Sequence, residues 1–215
     1  MTDLAASAPD FWDQACGHLA KRDRVMRKLI PSCGPSRLQS RGDAFTTLVR
    51  SIIGQQISVK AAQTVWDRFV LLMPGASTPL LPEGLLLLPA SDMRAAGLSA
   101  RKVEYLQDLA RHFAAGGVRE ADWSQMDDES VVRQLVEIRG IGRWTAEMFL
   151  IFHLMRPDVL PLDDVGLIKG ISVNYFSGEP VSRAEAREVG DAWAPYRTVA
   201  TWFIWRSLDP VPVDY

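Results

Sequence analysis

The sequence predicts an all-α protein. Apolar residues recur at helical spacing along nearly the whole chain, residues that favour helix N-termini precede several of these segments, and no segment shows the alternation of a strand. The chain has 215 residues, of which 47% are apolar and 23% charged. This length suits one or at most two domains. We expect one helical domain that spans residues 1–215.

The first predicted helices occupy the N-terminal third. The segment Phe11–Ile30 favours one or two helices, with a break near Arg22–Asp23. The next helix carries apolar residues at positions i, i+3, i+4, i+7 and i+8, and Asp43 is placed to cap it. Those apolar residues are Phe45, Leu48, Val49, Ile52 and Ile53. Ser58 predicts the start of a further helix that continues to Val70.

Three more helices are predicted in the middle of the chain. Ser99 precedes a helix that ends at Gly116-Gly117. The next has its apolar positions at Val131, Leu135 and Ile138, and we expect it to stop at Gly140. The third is expected over Arg143–Leu154.

Two helices are predicted near the C-terminus. Ser182 and Glu185 have the spacing of a capping box. Pro195 suits the first residue of a last helix, because proline is favoured at that position. The segment Met73–Pro82 is rich in Pro, Gly, Ser and Thr, and it is the only candidate for an internal boundary.

The composition excludes several classes of protein. The formal net charge is −2, so the protein is not coated in positive charge, although a local basic face is compatible with that total. Two cysteines, Cys16 and Cys33, provide no disulfide framework and no four-thiolate site, so a reducing, cytoplasmic compartment is expected. No apolar run is long enough for a membrane span, and Met1–Asp10 lacks the features of a secretory signal.

The segment Ile138–Ala146 contains a Gly-x-Gly turn between two amphipathic helices. Gly140 and Gly142 allow positive φ, and they leave backbone N–H groups uncovered at the start of the next helix. One interpretation is an ordinary αα-hairpin that glycine terminates. The other is a helix-hairpin-helix that holds a DNA phosphate through backbone amides, a contact that reads no sequence.

A pair of carboxylates follows the predicted helix over Arg143–Leu154. Asp163 and Asp164 come shortly after Pro161, where a helix is expected to begin. An aspartate at such a position is commonly an N-cap. Asp164 lies 20 residues after Trp144. This length is enough for one helix and a connector that returns the chain to the hairpin. Asp164 is therefore also a candidate for a catalytic carboxylate beside the hairpin.

These segments resemble the helix-hairpin-helix/Gly-Pro-Asp superfamily of DNA glycosylases. Ile138–Ala146 and Leu162–Lys169 are similar to its hairpin and catalytic segments, and within the superfamily they resemble the 3-methyladenine DNA glycosylase II branch. Ile52–Ser58 resembles the loop that enters the DNA duplex, and Tyr196–Trp205 resembles the closing helix. The resemblance covers Asp43–Arg206, and it implies two helical lobes with a base pocket between them.

The resemblance implies an enzyme of base excision repair, and we expect a monomer that is associated with the nucleoid. Its partner would be double-stranded DNA that contains alkylated, cationic purines such as 3-methyladenine and 7-methylguanine. Such an enzyme flips the base out of the duplex before excising it. DNA contacts are expected from Gly140, Gly142, Arg143 and Thr145, and Gln56 is expected to fill the gap that the flipped base leaves.

The resemblance also suggests the residues of the base pocket. Trp144 and Trp205 match pocket walls of the family, and an aromatic face attracts a cationic base. Met148 and Val165 stand where some members have tyrosines, so this pocket should be less aromatic.

Asp164 is the catalytic residue that the resemblance implies, because it would stabilise the developing oxocarbenium ion. Asp163 is expected to cap the helix or face away. Members that also cleave the backbone have a lysine where this chain has Trp144, and a Schiff base needs an amine, so no AP-lyase activity is expected.

No cofactor is implied by the resemblance. Arg206–Tyr215 contains no cysteine for an iron–sulfur cluster. The histidines show no ligand spacing, although the backbone carbonyls of Ile138 and Gly140 are candidates for holding a sodium or potassium ion. Two other functions remain open: a non-catalytic protein that binds damaged DNA, and a glycosylase for hypoxanthine or ethenoadducts.

Overall fold

The computed structural model of the chain describes residues 8–40, 42–76, 78–118 and 120–208. Within these ranges the secondary structure consists of thirteen helices without a strand, which confirms the all-α prediction. The helices are α1 (Trp12–Arg22), α2 (Met26–Ser32), α3 (Ala44–Gly54), α4 (Val59–Leu72), α5 (Pro82–Leu86), α6 (Ala90–Ala95), α7 (Ala100–Ala114), α8 (Glu120–Trp123), α9 (Asp128–Val136), α10 (Arg143–Phe152), α11 (Val165–Tyr175), α12 (Arg183–Asp191) and α13 (Arg197–Leu208).

The described residues form two compact units. One contains 8–40 with 150–208, and the other contains residues between 42 and 149. We call them the terminal unit and the central unit. The prediction of one domain over 1–215 stays a prediction.

The central unit is built around α7, which contacts α3, α5 and α6. Its core includes Leu48 and Ile52 of α3 and Leu106 and Leu109 of α7, all fully buried. In the terminal unit α13 contacts α1, α2 and α11. A Cβ at Gly170 of α11 would overlap the side chain of Ile204 on α13, so glycine allows these two helices to approach closely.

The predicted N-terminal caps are confirmed at four helices. The side chains of Asp43, Ser58 and Ser99 each accept a hydrogen bond from the backbone N–H three residues later. Ser182 and Glu185 form the complete capping box. The predicted break between the two N-terminal helices is also present, because α1 ends at Arg22 and α2 begins at Met26.

Two predicted helix ends are wrong. Helix α9 ends at Val136 instead of Gly140, and Ile138 is buried in the turn that follows. Helix α13 begins at Arg197 and not at Pro195, because the carboxylate of Asp158 accepts both the Arg197 backbone N–H (3.2 Å) and its side-chain Nε–H (2.8 Å). This acceptor lies 39 residues earlier in the chain.

The segment Met73–Pro82 does not separate the two units. Met73 and Leu80 are buried, and the Leu80 N–H donates to the hydroxyl of Thr46 on α3 at 2.8 Å. This segment therefore packs inside the central unit. Sequence patterns also missed the short helices α5, α6 and α8.

None of the helices in the described ranges is long and apolar enough to cross a bilayer. Predictions that concern Met1–Ser7 and Asp209–Tyr215, including part of the signal-peptide and iron–sulfur arguments, fall outside the described residues.

Candidate functional site

The glycine turn of the central unit depends on Gly140. Its φ is +88°, and a Cβ at this position would overlap the ring of Tyr105 on α7. Both observations require glycine, since residues with a side chain rarely adopt a left-handed backbone conformation. The close approach of this turn to α7 fixes its position in the central unit.

Gly142 is different, because it does not adopt the positive φ that the sequence allows at both glycines. Its backbone is not left-handed, and a Cβ built on it would find nothing within 4 Å. Gly142 is exposed, and its carbonyl accepts the N–H of Ala146 at 3.0 Å, so it is the residue from which α10 starts. The fold itself does not require glycine at this position.

The turn is tied to the loop that follows α3. The Gln55 side chain donates from Nε2 to the carbonyl of Gly140 at 2.9 Å. Lys102 of α7 donates from Nζ to the carbonyls of Ile53 (2.7 Å) and Gln55 (2.8 Å), and burial lowers the pKa of this lysine. These bonds hold the end of α3, and the next residue, Gln56, is exposed with a φ of +59°.

A cavity of about 310 Å³ lies between this loop, the start of α7 and the glycine turn. It is lined by Gln55, Gln56, Ser99, Arg101, Lys102, Tyr105, Gly140, Ile141 and Gly142. The structure thus brings together three of the predicted DNA-contacting residues, Gln56, Gly140 and Gly142. Sequence patterns did not single out Gln55, Arg101, Lys102 or Tyr105, because nothing local indicates that α7 underlies the turn.

Arg143 and Thr145 were also predicted to contact DNA, but their side chains are less available for such a contact. The Arg143 guanidinium forms ion pairs with Glu129 (2.6 Å) and Glu147 (3.4 Å), and the hydrogen bond to Glu129 raises its pKa. Thr145 is buried, with 5% of its surface exposed. The DNA-binding role of either residue stays a prediction.

The two carbonyls proposed for a monovalent cation each accept a hydrogen bond. Ile138 accepts from the N–H of Ile141 (3.1 Å), and Gly140 accepts from Gln55. A carbonyl oxygen has two lone pairs, so these oxygens fit a cation as an additional partner. Among the described residues no group of three or more His, Cys, Asp or Glu side chains is suited to a metal.

Asp164, in the terminal unit, is the N-cap of α11. Its Oδ1 accepts the backbone N–H of Leu167 (2.6 Å) and the indole N–H of Trp205 (2.8 Å), and only 8% of the residue is exposed. Asp163 does not cap the helix as one of our alternatives predicted, because its carboxylate pairs with Arg183. Asp164 therefore caps α11, and the hydrogen bond from Trp205 on α13 fixes the orientation of its carboxylate.

Gly166 leaves the room that this arrangement needs. A Cβ there would lie 3.1 Å from Asp164 Oδ1 and 3.3 Å from Trp205 Cδ1. The Trp205 ring stacks on Phe152 with a centroid distance of 5.8 Å and an interplanar angle of 12°. The tryptophan predicted as a pocket wall is thus also a hydrogen-bond donor to the carboxylate.

The predicted pocket residues fall in both units. In the central unit Trp144 is half-buried and Met148 is buried; in the terminal unit Trp205 is half-buried and Val165, next to Asp164, is 80% exposed. Their joint role in a base pocket stays a prediction.

A glycine turn joined to a helix start and a capping aspartate at the next helix are two of the elements on which the sequence resemblance rests. The family comparison agrees: residues 49–195 match the model of the HhH-GPD superfamily base excision DNA repair proteins. The chain belongs to this superfamily.

Individual relatives extend this assignment. The chain is 30% identical to DNA-3-methyladenine glycosylase 1 of Schizosaccharomyces pombe over 88% of this chain and 85% of that protein. The solved structure of the 3-methyladenine DNA glycosylase Mag1 of that yeast, in complex with abasic DNA, superposes with a TM-score of 0.81 at 30% identity and covers 93% of this chain and 100% of that one. A DNA-3-methyladenine glycosidase from Bacillus halodurans gives 0.80 at 36% identity over 89% and 87%.

Proposed function

We propose that this protein is a monofunctional DNA glycosylase that excises alkylated, cationic purines such as 3-methyladenine and 7-methylguanine from duplex DNA in the nucleoid. The observation that carries the proposal is the carboxylate of Asp164, which is buried and held by two N–H donors from two helices. The names of the relatives, each a 3-methyladenine glycosylase or glycosidase, support the choice of substrate.

The fixed carboxylate suits hydrolysis of an N-glycosidic bond. As the bond to the base lengthens, positive charge develops on the sugar ring, and a preoriented negative charge lowers the energy of that state. A cationic alkylated base is already a good leaving group and needs little help from a general acid. Asp164 would therefore carry most of the chemistry and would also orient the attacking water.

The central unit would supply the grip on DNA. The backbone N–H groups at the start of α10, which follows the exposed Gly142, would suit a phosphate because the N-terminal end of a helix favours an anion. Gln56 would occupy the gap left in the base stack, and its amide would hydrogen-bond the orphaned partner base. The bonds from Lys102 and Gln55 keep this loop and the glycine turn in a fixed arrangement before DNA arrives.

The proposed enzyme leaves an abasic site intact. Schiff-base chemistry requires an amine nucleophile, and position 144 carries a tryptophan. Borohydride should therefore trap no covalent protein–DNA adduct, and the product strand should break only when alkali is added. A trapped adduct would contradict the monofunctional assignment.

The proposal is tested by incubating the protein with methylated duplex DNA and identifying the free bases by chromatography. Release of 3-methyladenine or 7-methylguanine by the wild type, and not by Asp164→Asn, is the expected result. A wild-type protein that binds the duplex but releases no base would instead be a non-catalytic binder of damaged DNA. Release of hypoxanthine or ethenoadenine alone would overturn the substrate assignment.

A further inference from the structure

Four cations lie in or beside the cavity next to the glycine turn. Arg139 and Arg143 flank the turn, and both are already balanced by carboxylates, Arg139 by Glu104 (3.3 Å) and Arg143 by Glu129 (2.6 Å). Each of these two arginines is therefore already paired with a carboxylate within the protein.

Lys102 lines the cavity, but its ammonium is occupied. Two of its three N–H donors point to the carbonyls of Ile53 and Gln55, and burial already disfavours its charged form. If this ammonium bound a ligand instead, the loop that carries Gln56 would lose these two hydrogen bonds. The observed role of Lys102 is to hold the end of α3 and the residue that follows it.

Arg101 is the remaining cation. It lines the cavity and is exposed, and its guanidinium forms no ion pair or hydrogen bond with any residue in the described ranges. We propose that Arg101 binds a DNA phosphate in this cavity and supplies the positive charge of the grip, in place of Arg143. The proposal rests on the proposed function only in taking DNA as the ligand.

The chemistry of the cavity matches a phosphodiester. Arginine presents N–H donors in a planar fork that fits two phosphate oxygens. Gln56, Ser99 and the backbone at Gly142 line the same space and add uncharged polar groups. The protein has a net charge of −2, so its surface as a whole does not attract DNA. One unpaired cation at the contact therefore contributes a large part of the electrostatic attraction to the phosphate.

The test is the salt dependence of binding to an undamaged, fluorescently labelled duplex, measured by anisotropy. Each phosphate contact contributes about −0.9 to the slope of log K against log salt. Arg101→Gln should make the slope shallower by about 0.9, so that between about 50 and 200 mM salt the affinity falls roughly three- to fourfold less than for the wild type. Arg101→Lys keeps the charge and should restore the slope.

Two controls separate a direct contact from a change in total charge. Arg94→Gln removes the same charge from an exposed residue of the central unit outside the cavity, and its slope should equal that of the wild type. The double variant Arg143→Gln/Glu129→Gln removes an ion pair without changing the net charge, and its slope should also be unchanged. Thermal melts establish that each variant is folded.

The outcomes distinguish this inference from the proposed function. An Arg101→Gln slope equal to that of the wild type, or changed no more than that of Arg94→Gln, overturns the assignment even where methylated bases are released normally. A reduced slope in a protein that releases no base supports the Arg101 contact and contradicts the glycosylase proposal. A changed slope for the double variant would return the role to Arg143 and overturn the assignment.

Discussion

Helices α10 and α11 begin in opposite ways. At the start of α10 stands Gly142, which has no side chain and open space around it. At the start of α11 the Asp164 carboxylate occupies the corresponding position and accepts the N–H of Leu167. The first helix thus leaves its N-terminal amides without a cap from that residue, and the second has its cap built in.

The difference separates two tasks that a helix N-terminus can perform. An uncovered N-terminus attracts an external anion through its N–H groups and dipole. An N-terminus with its own carboxylate already holds an anion and keeps it in one orientation. In the proposed enzyme the first end would bind DNA and the second would act on the sugar.

The largest effect is expected from Asp164→Asn. The amide oxygen of asparagine can still accept from Leu167 and Trp205, so the cap survives while the charge is lost. We expect single-turnover base release to fall by about 10²–10³ or more. DNA affinity should stay level or rise, since a negative charge is removed near a polyanion. Near-normal cleavage would exclude Asp164, and Asp163 would then be tested in the same assay.

Gly140→Ala should damage the fold. The new Cβ would overlap the Tyr105 ring in a backbone with a φ of +88°. Such strain and overpacking together cost about 2 kcal/mol or more, which corresponds to a fall in Tm of roughly 4–8 °C for a chain of this size. Calorimetry measures this directly, and an unchanged Tm would show that the turn is not fixed by α7.

Gly142→Ala is the matched control with the opposite pattern. The Cβ enters open space at an ordinary φ, so Tm should hold. Affinity for damaged and undamaged duplex should fall by a similar factor of about 10–100, the worth of one hydrogen bond to a charged group. A loss confined to lesion-containing DNA would place Gly142 in the base pocket instead, and no loss at all would place the phosphate elsewhere.

The smallest effect is expected from Gly166→Ala. The methyl group would press on Asp164 Oδ1 and on the Trp205 ring, each of which must shift by a few tenths of an ångström. A side-chain displacement of this kind costs about 0.5–1 kcal/mol, so the rate of base release should drop about two- to fivefold at unchanged DNA affinity. Equal losses in rate and affinity would argue against a role in orienting the carboxylate.

Local patterns predicted those parts of the fold that local forces determine. Asp43, Ser58, Ser99 and Ser182 cap helices because each side chain reaches an N–H only three residues away. The start of α13 escaped prediction because its cap comes from Asp158, which is distant in sequence. The apolar run Gly84–Pro89 shows no helical period, and for that reason α5, which overlaps the run, and α6, which follows it, were missed.

In the candidate site, too, local features were predictable and contacts between distant segments were not. The family resemblance selected Asp164 over Asp163, and the structure places Asp164 in the buried, hydrogen-bonded position. What no pattern could show is that Trp205 donates to that carboxylate, or that Tyr105 fills the space beside Gly140. These contacts depend on how α13 and α7 pack, which is determined by the core as a whole.

The double duty of Asp164 limits how this protein can lose its activity in evolution. Under the proposed function, one side chain serves both the chemistry and the start of α11, and replacing an N-cap aspartate by alanine costs about 0.5–2 kcal/mol. Asparagine, serine or threonine would abolish the charge and keep the cap. A descendant that abandons catalysis but continues to bind DNA is therefore expected to carry one of these three residues at position 164.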